Sequence, residues 1–94
     1  MAIEVRIPTI LRSYTSGAKS VQGSGSTLGE LLVNLDAEHG GLRDRLVDGE
    51  SLRRFVNVYL NDEDVRFLGG LETPVADGDT VTVLPAVAGG SVSA

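Results

Sequence analysis

One histidine, no cysteine and a pair of glycines near the C-terminus set the chemical options of this 94-residue chain. Without cysteine there are no disulfides, thiolate metal sites, iron–sulfur ligands or thiol nucleophiles. His39 has no thiol to activate and no second imidazole with which to share a metal. Beside the C-terminus of a predicted helix, it suits a solvated or dipole-favoured role better than a catalytic one. Asp62, Glu63 and Asp64 are consecutive acids. A calcium loop needs alternating oxygen ligands, a central glycine and a terminal bidentate glutamate, so they read as a charged turn. Gly23-Ser24-Gly25-Ser26-Thr27 has the look of a phosphate cradle, but no Lys-Ser/Thr pair follows and neither nucleotide spacing fits. It reads as a flexible turn ahead of a helix. No catalytic side chain, metal site or cofactor is assigned.

The end of the chain offers something different. Val83-Leu84-Pro85-Ala86-Val87-Ala88-Gly89-Gly90 leaves a predicted strand without one bulky polar side chain. Extended backbone gains up to about 3.3–3.6 Å per residue, so Gly90 can stand roughly 16–18 Å beyond Pro85. Val87, Ala88 and Gly89 are slim enough to thread a narrow channel, and glycine lets the backbone approach a reactive centre closely. The group such a tail can offer is an α-carboxylate on Gly90. A carboxylate is a poor electrophile until it is joined to AMP as a mixed anhydride. Sulfide can then displace the AMP and leave a thiocarboxylate, whose exposed sulfur is nucleophilic at neutral pH for the reason a thiolate is.

The rest of the sequence must hold that tail in place. At 94 residues, with 41% apolar and 22% charged residues, the composition is that of one soluble globular domain with one core. No apolar run approaches the roughly 20 residues of a membrane helix. The N-terminus alternates polar and apolar residues, unlike a signal peptide, so the cytoplasm is the expected compartment. Thirteen acids against eight bases give a net charge of −5, and the arginines are scattered along the chain. That argues against nucleic acid and for a basic protein partner.

Ile3, Val5 and Ile7 alternate with Glu4 and Arg6, the pattern of a half-buried strand over 2–7 that Pro8 ends. Gly17 sits in a turn, and Lys19 to Gln22 forms a second strand of a hairpin. Thr27 and Glu30 make a capping box, and Leu28, Leu31, Leu32 and Leu35 form one stripe of a helix. Gly40 and Gly41 stop it. Residues 42–48 form a short helical turn through Leu42 and Leu46. Residues 54–60 are the clearest strand. Val56, Val58 and Leu60 point one way; Phe55, Asn57 and Tyr59 point the other. Asn61 to Asp64 is a turn, Val65 to Phe67 a short return strand, and 80–84 the last strand, with Val81 and Val83 inward. Pro85 ends the ladder. The order fits an α+β roll, the ubiquitin-like β-grasp: one helix across a mixed sheet, first and last strands parallel at its centre. Residues 1–85 make the domain and 86–94 the tail. On the outer face of the sheet, Phe55, Tyr59 and Leu84, with Arg6 and Asn57 nearby, form the expected partner surface.

Ile7-Pro8-Thr9-Ile10-Leu11-Arg12, the stretch Arg54-Phe55-Val56-Asn57-Val58-Tyr59-Leu60-Asn61-Asp62-Glu63-Asp64-Val65-Arg66-Phe67, and Asp77-Gly78-Asp79 leading into Leu84-Pro85-Ala86-Val87-Ala88-Gly89-Gly90 also carry a resemblance. Over about residues 3–90 the chain resembles the small ubiquitin-like sulfur carriers of the ThiS/MoaD family. The opening and the 54–67 stretch favour the carriers of actinobacterial cysteine biosynthesis. The resemblance implies that Gly90 is adenylated and sulfurated by an E1-like, ATP-dependent enzyme. It further implies a cysteine synthase working on O-phosphoserine as sulfur acceptor, and a zinc-dependent JAMM-type peptidase that releases cysteine. One feature departs from the family pattern: Ser91-Val92-Ser93-Ala94 follows Gly90, so the expectation is a precursor trimmed after Gly90 by a peptidase of the JAMM type. Three other readings share the tail: a small subunit of a molybdopterin synthase, a ubiquitin-like modifier of protein amines, and a binding module with an idle end.

Overall fold

Alternation along the first strand puts Ile3, Val5 and Ile7 on one face, and in the computed structural model all three are buried. The structure describes residues 2–49, 51–54 and 56–85. The chain runs through β1 (Ile3–Arg6), a 3-10 turn (Thr9–Thr15), β2 (Ser20–Gly23), α1 (Leu28–Glu38) and α2 (Leu42–Leu46). It continues through β3 (Val47–Asp48), β4 (Ser51–Leu52), β5 (Val56–Leu60), β6 (Glu63–Asp64), 3-10 turns at Val65–Phe67 and Gly70–Glu72, and β7 (Thr80–Pro85). Five strands form the main sheet in the order β2-β1-β7-β5-β6, while β3 and β4 pair apart from it. β1 and β7 run parallel at the centre, with Val5 beside Val81, and the other pairs in the main sheet are antiparallel. This is the ubiquitin-like β-grasp.

The helix lies across one face because its stripe has nowhere better to go. Leu28, Leu31, Leu32 and Leu35 are all buried and join Ile3, Val5, Val58, Val81 and Val83 in one cluster. Burial of each such side chain is worth about 1.5–3 kcal/mol. The Thr27 half of the capping box forms, with Thr27 Oγ1 accepting from the Glu30 N–H at 3.2 Å, while Glu30 Oε1 reaches one residue further back and accepts from the Ser26 N–H at 2.9 Å. α1 ends at Glu38, and Gly41 takes the left-handed conformation (φ 92°) that starts α2. Asp36 Oδ1 fixes this corner by accepting from the N–H groups of Gly41 at 3.0 Å and Arg43 at 3.2 Å.

Four local expectations are corrected. Gly23 to Ser26 is not a flexible turn: Gly23 is buried, the Ser24 N–H donates to Asn34 Oδ1 at 3.0 Å, and Ser26 belongs to the cap. The helical turn from Leu42 stops at Leu46, and Val47 enters a strand. The return strand is Glu63–Asp64, with Val65–Phe67 a 3-10 turn. The cause is Asn61 and Asp62, both at positive φ (49° and 74°), which make a two-residue hairpin loop, so pairing resumes at Glu63 opposite Leu60. Asp64 then accepts from the Arg66 N–H at 2.9 Å and turns the chain away. Residues 9–15, unassigned from the pattern, form a 3-10 turn, and Pro85 still faces Val56 as the last rung of β7.

Candidate functional site

The tail leaves from β7, which is wedged between β1 and β5. Its own Val81 and Val83 are buried, and the strand is paired on both edges as far as Thr82 and on the β5 edge alone from Val83 to Pro85. Val87, Ala88, Gly89 and Gly90, the expected working end, lie outside the described residues, as does Phe55.

The remaining members of the expected partner surface fall on the outer face. Arg6, Thr82 and Tyr59 line up across β1, β7 and β5, and Leu84 faces Asn57 in the next row of β7 and β5. Leu84 is 45% exposed, while Tyr59 and Asn57 are half-buried. Arg6 lies 3.7 Å from Glu4. Asn57 is held: its Oδ1 accepts from Arg66 Nη1 at 2.6 Å. Arg66 Nη2 also donates to the carbonyls of Val56 and Arg53, so one guanidinium grips the backbone on both sides of position 55. Sequence reasoning missed Arg66 as a site residue because its partners lie 9 to 13 positions away and meet it only through the β5–β6 hairpin.

Leu84 has a second set of neighbours. A cleft of about 570 Å³ runs between the outer face and the Thr9–Thr15 turn, lined by Arg6, Pro8, Ile10, Arg12, Lys19 and Leu84 among others. A second, of about 500 Å³, opens on the far side of Ile10 and holds Arg45, Asp48, Arg53, Arg54 and Val56. Ile10, Val83 and Pro85 border both. Ile10 is 68% exposed, and the signal for it was present in the Ile7-to-Arg12 opening, an apolar residue one step out of the Leu11 burial register. Arg12, Lys19, Arg45, Arg53 and Arg54 are scattered in sequence but gathered here.

His39 is half-buried at the end of α1, where its N–H donates to the Leu35 carbonyl at 2.7 Å. Asp62 is exposed in the hairpin loop and Asp64 is spent on the Arg66 N–H. Among the described residues no group of three His, Cys, Asp or Glu side chains is placed to hold a metal ion, and no helix is long and apolar enough to cross a membrane. The described residues thus make a platform around the root of a tail.

The chain matches the ThiS family over residues 5–90, the last matched residue being Gly90. It is 59% identical over 93 residues to the sulfur carrier protein CysO of Mycobacterium tuberculosis, covering 96% of this chain and 100% of that protein. To small archaeal modifier protein 3 of Haloferax volcanii it is 38% identical over 93 residues, again with 96% and 100% covered. Among solved structures, a chain of the Amycolatopsis orientalis BexX/CysO complex superposes with a TM-score of 0.91 at 58% identity, over 95% of this chain and 100% of that one.

Proposed function

The chain belongs to the ThiS family, and on that premise we propose that it is a sulfur carrier protein of cysteine biosynthesis whose Gly90 bears the sulfur. It is a close homologue of CysO sulfur carriers. The single observation that carries the reading is a family match that runs to Gly90, joined to 59% identity with CysO.

In this sequence Gly90 is joined to Ser91, so its carbonyl is an amide. A JAMM-type zinc peptidase hydrolyses the Gly90–Ser91 bond: water adds, and the peptide Ser91–Ala94 leaves with the new amine. The Gly90 carboxylate then attacks the α-phosphorus of ATP in an E1-like enzyme. Pyrophosphate leaves and an acyl adenylate remains. Sulfide attacks the acyl carbon, AMP departs, and a thiocarboxylate stays on the chain. In a cysteine synthase the thiocarboxylate sulfur takes the place of phosphate on the β-carbon of O-phosphoserine, phosphate leaves, and cysteine is joined to Gly90 as a thioester. The acyl group shifts to the cysteine amine, and the peptidase adds water to that amide, freeing cysteine and the Gly90 carboxylate. The chain itself is a substrate in each step and catalyses none. Its own contribution is positional: β7, paired to β5 through Pro85, is the strand that residues 86–90 follow, while Phe55, Tyr59, Leu84, Arg6 and Asn57 meet the partner.

The test uses the chain ending at Gly90, incubated with ATP, a sulfide source and the E1-like enzyme. The expected result is a mass gain equal to replacing one oxygen by sulfur, with no gain for the chain that still ends at Ala94. A Gly90-ended chain that never gains sulfur overturns the reading. The likeness to a small archaeal modifier protein favours a second reading as a protein modifier, which requires amide conjugates of this chain to lysines in its host.

A further inference from the structure

The overall charge of −5 hides a strong asymmetry. Of the eight Lys and Arg residues in the sequence, six line the two clefts at the root of the tail: Arg6, Arg12 and Lys19 in one, Arg45, Arg53 and Arg54 in the other. Of the thirteen Asp and Glu residues, Glu4 and Asp48 do so among those described. A cationic collar therefore borders Pro85, where the described chain ends, on a molecule whose remaining charged residues are mostly acidic.

Between the two clefts stands Ile10, 68% exposed. It is presented rigidly. Leu11 beside it is buried, the Leu11 N–H donates to the Pro8 carbonyl at 2.9 Å, and the Arg12 Nε–H donates to the Ile7 carbonyl at 3.2 Å. An aliphatic side chain held out to solvent between two groups of cations has the anatomy of an apolar anchor with a charged rim.

We propose that the cationic collar and Ile10 form the docking surface for the E1-like enzyme that adenylates the tail, and that this enzyme rims its channel with carboxylates around an apolar notch for Ile10. This rests on the carrier reading and adds the sign and shape of the partner. It reverses, for this face, the basic partner that the net charge suggests. Long-range attraction steers the tail end of the carrier toward the channel, while the acidic remainder of the domain is turned away from it. A protein fits better than a phosphate polymer, because a phosphate backbone offers nothing for an exposed isoleucine to bury against.

The test measures association of the Gly90-ended chain with the E1-like enzyme at low and high ionic strength. Lys19→Gln with Arg45→Gln removes two collar charges from opposite clefts. Val33→Glu with Ala37→Glu makes the same change in net charge on the exposed side of α1. The collar pair is expected to slow association about tenfold at low salt, with the difference collapsing at high salt. The helix pair is expected to leave association unchanged. Ile10→Ser is expected to weaken binding without altering the salt dependence. Equal effects from the two pairs, wild-type association that quickens with salt, or equally tight binding to phosphatidylserine vesicles each overturns the proposal. Thiocarboxylate yield at saturating enzyme is read in parallel. Its absence from every chain, wild type included, counts against the carrier reading, while the association rates still judge the collar.

Discussion

On the helix side of the central sheet, Ile3, Val5, Val58, Val81 and Val83 are each no more than 2% exposed. On the other side the same three strands carry Arg6, Asn57, Tyr59, Thr82 and Leu84, and none of these is buried. One backbone thus holds two surfaces one residue out of phase. The first is sealed by α1 and supplies the stability. The second surrounds the point where β7 ends, and under the proposed function it supplies recognition. A domain this small has one core, so the separation is strict: what touches the helix matters for folding, and what faces away is free to be shaped by partners.

Substitutions on the two faces should therefore fail in different ways. Leu31→Ala, at the centre of the helix stripe, is expected to cost about 2–5 kcal/mol of stability by leaving a cavity in the packed core, read from the denaturant midpoint. If it folds as stably as the wild type, the helix side is not where the stability lies. Gly23→Ala comes next. A Cβ there would sit 2.8 Å from both Leu31 Cδ1 and Leu35 Cδ2, where β2 meets α1. The expected cost is about 1–3 kcal/mol, with the same denaturation assay as the check. Leu84→Asp is smallest in stability, within about 0.5 kcal/mol, as for surface changes away from special features. It should nevertheless weaken binding to the E1-like enzyme, measured by titration calorimetry. Loss of stability with intact binding would erase the distinction between the faces.

The strands and helix that pack against each other were legible because their residues repeat with the period of their own backbone. Ile3 and Val5 alternate, Val56 and Val58 alternate, and Leu28, Leu31, Leu32 and Leu35 recur at helical spacing. Val65-Arg66-Phe67 misled for the same reason. It alternates like a strand, yet the tight Asn61-Asp62 loop had already spent the return strand on Glu63 and Asp64. The candidate tail was legible from composition, since a run of small residues ending in Gly89-Gly90 needs no tertiary context to be noticed. Its surroundings were not. Arg66 reaches Asn57 only across a hairpin, and Ile10 lies in a 3-10 turn that no periodicity announces.

The amino-acid sequence alone determined the strand and helix pattern that fits a β-grasp, the cap of α1 and the absence of thiol chemistry, because each depends on neighbours a few positions apart or on composition. It also pointed to Gly90 as the residue with something to offer. Only the tertiary structure decided what surrounds the root of the tail. Arg6, Arg12, Lys19, Arg45, Arg53 and Arg54 span half the chain, and the β1-β7-β5 strand order with the Thr9–Thr15 turn brings their segments around Pro85. Charge acts through space over about a Debye length. Net charge therefore describes the whole molecule, while the fold sets which sign a partner meets first.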